Sequence, residues 1–214
     1  MQSISENPRA WMMIEVDVSN LVALRQELKD DFMHREGVPL SLSPFVMKPI
    51  VNALKEFPVL NSTWHSGSIL VKKDINLSIV VAIANDTVVT PVIYHADRKS
   101  IAGIAIELYE LVNRARRNSL LPTDLVEGSF TFSNTGSVGS LLSCPINNNP
   151  QAAILTFESI VRKPVVIQEM IAIRSIANLC LSYDHRMVDG LICSRFMQRV
   201  KYYLEKYDQE TIIY

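Results

Sequence analysis

The residues best suited to chemistry lie in one run near the C-terminus, Asp184-His185-Arg186-Met187-Val188-Asp189-Gly190. A neutral imidazole with a pKa of about 6.5 can accept a proton at pH 7. A carboxylate near the ring can fix its tautomer and orientation, and the spacing alone does not tell whether Asp184 or Asp189 does so. An isolated histidine at a strand end is more often structural. The flanking acids and Gly190, which permits an unusual backbone turn, favour a general base instead.

Two predicted elements hold this motif in place. The apolar run 176–182 predicts a strand before it, and the amphipathic run 190–207 predicts a helix after it. Further helices are predicted at residues 21–34, from Ser43-Pro44 to Pro58, and at 101–117. The other predicted strands are 11–18, 69–72, 75–84, 88–94, 129–133, 152–161 and 165–174. These elements, without an internal repeat, predict a single α+β domain with a mixed β-sheet.

The segment 134–150 lies between two predicted strands and is rich in glycine, serine, asparagine and proline. Loops of this length inside a compact domain are usually functional or disordered. We therefore treat this segment as a candidate part of a functional site.

Composition argues against several classes of function. The 214 residues carry a net charge of -1, which gives no sign of a nucleic acid or membrane-surface partner. The four histidines and three cysteines lack metal-ligand spacing, so we expect no metal. The odd cysteine count predicts reduced thiols in an intracellular, cytoplasmic protein. No segment approaches the roughly 20 apolar residues of a membrane span, and the N-terminus lacks a signal pattern.

Two motifs resemble the signatures of one family. The run 184–190 resembles the signature of the catalytic domain of the 2-oxo acid dehydrogenase acyltransferases, the dihydrolipoamide acyltransferases. The run 128–139, Gly-Ser-Phe-Thr-Phe-Ser-Asn-Thr-Gly-Ser-Val-Gly, resembles the second signature of that family. Matching runs follow in order over roughly residues 10–205. Ala10-Trp11, residues 134–137 and residues 161–166 resemble the branched-chain type within the family.

The resemblance implies a two-layer α+β sandwich with a mixed sheet, of the chloramphenicol acetyltransferase type. It implies transfer of an acyl group between dihydrolipoamide and coenzyme A, both as substrates. His185 is implied to be the general base on the thiol, and Ser133 the hydrogen-bond donor to the oxyanion. Asn134 is the alternative donor if the register of the match differs by one residue.

The resemblance also implies supporting residues. The motif aspartate, Asp189, is expected to pair with Arg25 on the first helix and to support the catalytic loop. Thr135 and Gly136, together with Asn134, are expected to line the substrate channel.

The resemblance implies a homotrimer in which His185 and Ser133 come from different subunits. Such trimers would assemble into a larger hollow core that works with lipoyl domains and dehydrogenase subunits. The apolar ending 211–214 is either a docking contact for this assembly or a frayed tail. We expect residues 1–10 to form an N-terminal arm and 11–214 the acyltransferase core, with neither a lipoyl nor a peripheral-subunit-binding domain.

Two alternatives remain at this point. One is a chloramphenicol acetyltransferase-like enzyme that acylates a small hydroxyl acceptor. That type carries His-His where this chain has Asp184-His185. The other is a catalytically silent oligomeric scaffold, against which the presence of both His185 and Ser133 argues.

Overall fold

The structure is a computed structural model, described here for residues 8–84 and 87–214. The helices of this part of the chain are α1 (Ser19–Glu36), α2 (Ser43–Glu56), α3 (Ile101–Arg116) and α4 (Gly190–Glu205). The strands are β1 (Arg9–Asp17), β2 (Ser62–His65), β3 (Ser68–Val71), β4 (Leu77–Ile79), β5 (Val81–Ala82), β6 (Val88–Val89), β7 (Val92–Ile93), β8 (Phe130–Ser133), β9 (Ala153–Phe157), β10 (Val161–Ile167) and β11 (Met170–Asp184).

Local chemistry explains the helix boundaries. The Ser100 side chain accepts a hydrogen bond from the Gly103 backbone N–H at 3.0 Å, which satisfies a free donor at the start of α3. Gly37 ends α1 in a left-handed conformation, with φ of 71°, and its N–H donates to the Met33 carbonyl. These signals are local, so the predicted helices agree with the observed ones within about two residues at each end.

One mixed sheet organises the domain, in the order β1-β11-β9-β8-β4-β7, with β10 also pairing to β11. The pairs β8–β9 and β4–β8 are parallel and the other pairs are antiparallel. The α+β class with a mixed sheet is therefore confirmed. None of the helices in the described part of the chain is long and apolar enough to cross a bilayer.

The two faces of this sheet differ in chemistry because successive side chains of a strand point to opposite sides. On the face covered by helices, large apolar side chains such as Phe130, Phe132 and Leu181 are fully buried, and Phe130 packs against Phe196 of α4. The other face carries a row of buried hydroxyl groups, which lies beneath the segment 134–151. The row comprises Ser78, Thr131, Ser133, Thr156 and Ser182.

Hydrogen bonds attach this segment to the hydroxyl row. Thr131 donates to the Gln151 amide oxygen at 2.5 Å, and the Gln151 amide nitrogen donates to Ser78 at 3.0 Å. A polar loop can cover a buried sheet face because its polar groups find partners there.

Three strand predictions were wrong. The predicted strand 165–174 is a hairpin, in which Gln168 and Glu169 with positive φ separate β10 from β11. The predicted strands 75–84 and 88–94 are each broken into two short strands, and β2 was not predicted. Apolar periodicity continues through a tight turn, so the pattern alone did not reveal the reversal.

The first strand and the C-terminal residues both contact the rest of the domain. β1 begins at Arg9, which pairs with Asp184, so the strand starts inside the predicted arm 1–10. Residues 1–7 of that arm lie outside the described residues. At the other end, Ile213 is buried and its carbonyl accepts the Ala102 N–H at 2.8 Å. The C-terminus is therefore bound to α3 and is not a frayed tail.

Candidate functional site

His185 is the first residue after β11, and its ring is half exposed. Its backbone N–H donates to the Pro8 carbonyl at 2.9 Å. Its Nδ1 lies 3.9 Å from Asp189 Oδ1, with the two side chains 51% and 80% exposed. This distance is too long for a hydrogen bond. Asp189 therefore acts on the ring only as a solvated charge, and the half-exposed ring remains accessible from solvent.

Asp184 has a different role from Asp189. Its side chain is 1% exposed and accepts hydrogen bonds from the Arg186 backbone N–H at 2.9 Å and from Arg186 Nη2 at 2.6 Å. The Arg186 guanidinium in turn lies 4.6 Å from the centre of the Trp64 ring. Asp184 thus fixes the backbone next to His185 through its bonds to Arg186. The sequence analysis noted Arg186 in the motif but did not predict its pairing with Asp184 or its contact with Trp64, although the Asp-x-Arg spacing was a usable signal.

Ser133 is the last residue of β8 and is buried, with 7% exposure. Within residues 8–84 and 87–214, its hydroxyl group has no hydrogen-bond partner. A buried hydroxyl without a protein partner is free to donate to a substrate oxygen.

Ser133 and His185 lie far apart in one chain. Ser133 pairs with Thr156 of β9, and Thr156 pairs with Cys180 of β11, five residues before His185. At about 3.3 Å per residue and about 4.8 Å per strand, the Cα atoms of Ser133 and His185 are on the order of 19 Å apart. The two side chains of one chain are therefore too far apart to contact the same reacting group.

The residues after Ser133 are bonded within the protein. The Asn134 amide donates to Ser43 Oγ at 3.0 Å and its oxygen accepts the Ser137 N–H at 3.2 Å. The Thr135 hydroxyl donates to Glu158 Oε2 at 2.8 Å. Gly136 packs against the Glu158 backbone. These contacts hold residues 134–136 against Ser43 and Glu158. The channel role expected of Asn134, Thr135 and Gly136 stays a prediction.

Arg25 does not pair with Asp189 in this chain. Its Nε donates to the Leu40 carbonyl at 2.7 Å, and in the described residues it makes no ion pair with Asp189. The expected intrachain support is therefore not observed. The reason is that the carbonyl after α1 lies within reach of the guanidinium, whereas Asp189 points into solvent.

Glu158 is a functional candidate that sequence reasoning missed. It follows β9, is 0% exposed, and accepts hydrogen bonds from hydroxyl groups of the loop. Burial acts to raise the pKa of Glu158, but hydrogen bonds from Ser140, Ser143, Thr156 and Thr135 outweigh it and hold the pKa below its ordinary value. An acidic residue directly after a strand that is apolar except for Thr156 was the available signal.

The described residues form neither a metal site nor a reactive buried thiol. In the described part of the chain, no group of three or more His, Cys, Asp and Glu residues is placed to hold a metal. Burial, with a contribution from Asp189, raises the pKa of Cys193 to about 12, and burial raises that of Cys180. Such thiols are poor nucleophiles because only the thiolate reacts.

A family model and a curated relative match this chain. The family described as "2-oxoacid dehydrogenases acyltransferase (catalytic domain)" matches residues 1–212. The lipoamide acyltransferase component of the branched-chain alpha-keto acid dehydrogenase complex of Bacillus subtilis (strain 168) is 50% identical over 214 residues, which are 100% of this chain and 50% of that protein. The chain thus spans half the length of this curated relative.

Solved structures agree with this match. A probable dihydrolipoamide acetyltransferase from Listeria monocytogenes has a TM-score of 0.97 at 49% identity, covering 100% of this chain and 91% of that one. The dihydrolipoamide acetyltransferase of Azotobacter vinelandii has a TM-score of 0.91 at 30% identity, covering 96% and 84%. The catalytic mechanism of the latter was investigated through one serine, a histidine 52 positions later and an asparagine four positions after that.

Two further structures bear on assembly and on fold. The cubic core of a pyruvate dehydrogenase multienzyme complex has a TM-score of 0.91 at 31% identity, covering 96% of this chain and 84% of that one. Chloramphenicol acetyltransferase has a TM-score of 0.59 at 16% identity, covering 93% and 89%. The latter likeness confirms the expected chloramphenicol acetyltransferase-like fold.

Proposed function

Because this chain belongs to the family of 2-oxo acid dehydrogenase acyltransferases, as its catalytic domain, we propose that it transfers an acyl group between a dihydrolipoyl thiol and the thiol of coenzyme A. One observation carries the proposal. His185 follows Ser133 by 52 positions, and Asp189 follows His185 by four, the same spacing as the serine, histidine and asparagine of the Azotobacter vinelandii protein.

His185 acts as the general base in the proposed reaction. A thiol with a pKa of about 8.5 is mostly protonated at pH 7, and only its thiolate is a good nucleophile. The imidazole of His185 takes the thiol proton while the sulfur forms a bond to the thioester carbonyl carbon. The carbonyl π electrons move onto the oxygen, and the Ser133 hydroxyl donates to this oxyanion.

The second half of the reaction reverses these movements. The carbonyl re-forms as the bond to the departing sulfur breaks, and the imidazolium of His185 returns its proton to that sulfur. The proton and the electron pairs balance, so no covalent acyl-enzyme is needed.

The separation of about 19 Å within one chain supports a site shared by two subunits. The homotrimer that we propose would bring His185 of one subunit to Ser133 of the next. Exposed apolar side chains on the β10–β11 hairpin and on β1 supply surface for such contacts, because monomers rarely expose large apolar patches. They include Trp11, Met13, Val166, Met170, Ile171 and Ile173.

A larger hollow core of trimers completes the proposed assembly, and the cubic core of a similar protein supports it. The exposed Ile212 beside the bound C-terminus is available for contacts between trimers. Lipoyl domains and dehydrogenase subunits are the proposed partners, in the cytoplasm, with branched acyl groups as the cargo because of the 50% identity to the Bacillus subtilis protein.

Mixing two inactive variants tests this proposal. Each of His185→Ala and Ser133→Ala should lose most thioester exchange between isobutyryl-coenzyme A and free dihydrolipoamide. Co-assembly of the two variants in equal amounts should restore about 25% of wild-type activity, because a random trimer pairs an intact His185 with an intact Ser133 at one interface in four. No recovery in mixed trimers would contradict the shared site. A wild-type protein without exchange activity would contradict the function itself.

A panel of acyl-coenzyme A substrates tests the acyl group. One methylene in an apolar pocket changes selectivity by about 1–3 kcal/mol, so isobutyryl should exceed acetyl by about tenfold or more in kcat/KM. A preference for acetyl or succinyl would contradict the branched-chain assignment and leave the acyl transfer itself intact.

A further inference from the structure

A fully buried carboxylate, that of Glu158, lies next to the proposed oxyanion site. Its side chain is 0% exposed, and within residues 8–84 and 87–214 no lysine, arginine or histidine forms an ion pair with it. Burying an unpaired charge is costly, so such groups are normally paired or neutralised. Other contacts must therefore offset the cost of removing the Glu158 carboxylate from water.

Hydroxyl groups supply those contacts. Ser143 and Thr156 donate to Oε1 at 2.5 and 2.6 Å, and Thr135 donates to Oε2 at 2.8 Å. Hydrogen bonds to an ionised acceptor are roughly twice as strong as neutral ones. Each hydroxyl has a single hydrogen to donate, and a carboxylate can accept from all three because it presents only acceptors.

The three donors surround the end of β8, where Ser133 lies. Thr156 is the direct neighbour of Ser133 across the β8–β9 pair. Thr135 follows Ser133 by two residues, and Ser143 belongs to the segment that covers the same face of the sheet. Glu158 therefore links the strand beside Ser133, the chain after it and the loop above it.

The backbone around Glu158 tightens the same link. A Cβ atom on Gly136 would lie 2.4 Å from the Glu158 carbonyl carbon, so only glycine permits this approach. The Ser159 hydroxyl donates to the Gly136 carbonyl at 3.0 Å, and the Ser159 N–H donates to the Ser140 carbonyl at 2.7 Å. Side-chain and backbone bonds thus hold residues 134–140 against the end of β9.

We propose that Glu158 is a positioning residue that holds the chain at Ser133, so that the Ser133 hydroxyl is aligned with the thioester oxygen before charge develops. This inference rests on the proposed acyl transfer. Misplacement of a catalytic group by about 1 Å costs about 100-fold in rate. Glu158 holds Thr135, which follows the donor Ser133 by two residues, so loss of this contact should lower turnover. Glu158 itself contacts no substrate in this role.

Glu158→Gln and Thr135→Val test the inference in the intact oligomer. An amide would present an N–H group to one of the hydroxyls, and valine removes the donor to Oε2. Each variant should lower kcat for acyl exchange by about tenfold or more, with KM for coenzyme A changed by less than about twofold. Thr135→Ser keeps the hydroxyl and should restore kcat to within about twofold of wild type.

A matched control separates positioning from a general loss of stability. Thr131 lies on the same strand and the same sheet face as Ser133, and its hydroxyl donates to Gln151 instead of Glu158. Thr131→Val removes a buried hydrogen bond and should lower the thermal midpoint while changing kcat by less than about threefold.

A double-mutant cycle with Ser133→Ala gives the decisive comparison. If Glu158 acts through Ser133, Glu158→Gln should change kcat by less than about twofold in the Ser133→Ala background. An equal loss in both backgrounds would overturn the inference, as would an unchanged kcat for Glu158→Gln or a similar loss for Thr131→Val. An inactive wild type would overturn the acyl transfer and this inference together, whereas an active wild type with any of these results overturns the inference alone.

Discussion

The His185 end and the Ser133 end of the proposed site are built in opposite ways. The ring of His185 is half exposed, and the exposed Asp189 carboxylate lies 3.9 Å from it. Ser133 is buried at the end of a paired strand, beside the hydroxyl network around Glu158. An oxyanion donor works by being fixed before charge develops, whereas a base must meet a thiol that enters from solvent. In the proposed trimer, one subunit would thus supply the rigid half of the site and leave its exposed half to a neighbouring subunit.

The largest expected loss of activity comes from substituting His185, in the exposed half of the site. His185→Asn removes the proton acceptor, so kcat for acyl exchange should fall by about 10³-fold. Steady-state kinetics with isobutyryl-coenzyme A and dihydrolipoamide measure this. His65→Asn, at an exposed position on β2, is the matched control and should retain wild-type kcat. Activity of His185→Asn within tenfold of wild type would remove His185 as the base.

The next effect comes from the buried half. Ser133→Ala removes the proposed donor, so kcat should fall by about 10²-fold while KM changes little. Ser182→Ala is the control, because Ser182 is also a buried hydroxyl on this sheet face and has no hydrogen-bond partner in the described part of the chain. Equal losses in the two variants would show that the sheet face as a whole, and not Ser133, is sensitive.

The buried carboxylate of Glu158 should also make the stability of the protein depend on pH in the acid range. The pKa of Glu158 is lowered in the folded protein from an ordinary value of 4.5, because the hydrogen bonds to its carboxylate outweigh the effect of burial. A depressed folded pKa contributes stability above the unfolded value, and this contribution is lost as the pH falls through the folded value.

Urea unfolding at fixed protein concentration measures this contribution. Wild type should exceed Glu158→Gln in stability at pH 7, and the difference should shrink as the pH falls below 4.5. Glu15→Gln, at an exposed position on β1, should show a smaller difference at pH 7. A difference between wild type and Glu158→Gln that stays constant from pH 7 through the acid range would contradict the assignment of an ionised Glu158.

The smallest effect is expected at Asp189. An exposed pair at 3.9 Å contributes about 0–1 kcal/mol, so Asp189→Asn should lower kcat by less than about fivefold. Kinetics at two salt concentrations check this, since screening should reduce the difference further. A loss above tenfold would show that Asp189 gains a closer partner in the assembled protein.

Several features followed from local patterns. Ser43-Pro44 and Ser100 mark helix starts, and the helix bounds came out within about two residues because capping is a short-range interaction. The β10–β11 turn was missed because Gln168 and Glu169 carry no glycine or proline signal. Glu158 was missed because its network joins residues 135, 143 and 156, which no local window contains.

The sequence by itself determined the reactive residue types, the family signatures that contain His185 and Ser133, and the α+β order of elements. Only the tertiary structure decided that these two residues lie about 19 Å apart in one chain, since strand register sets that distance. It also distinguished Asp184, which is buried with Arg186, from Asp189, which is exposed. Periodicity and capping act over a few neighbouring residues, whereas burial and strand pairing depend on segments more than 100 residues apart, such as β1 and β11.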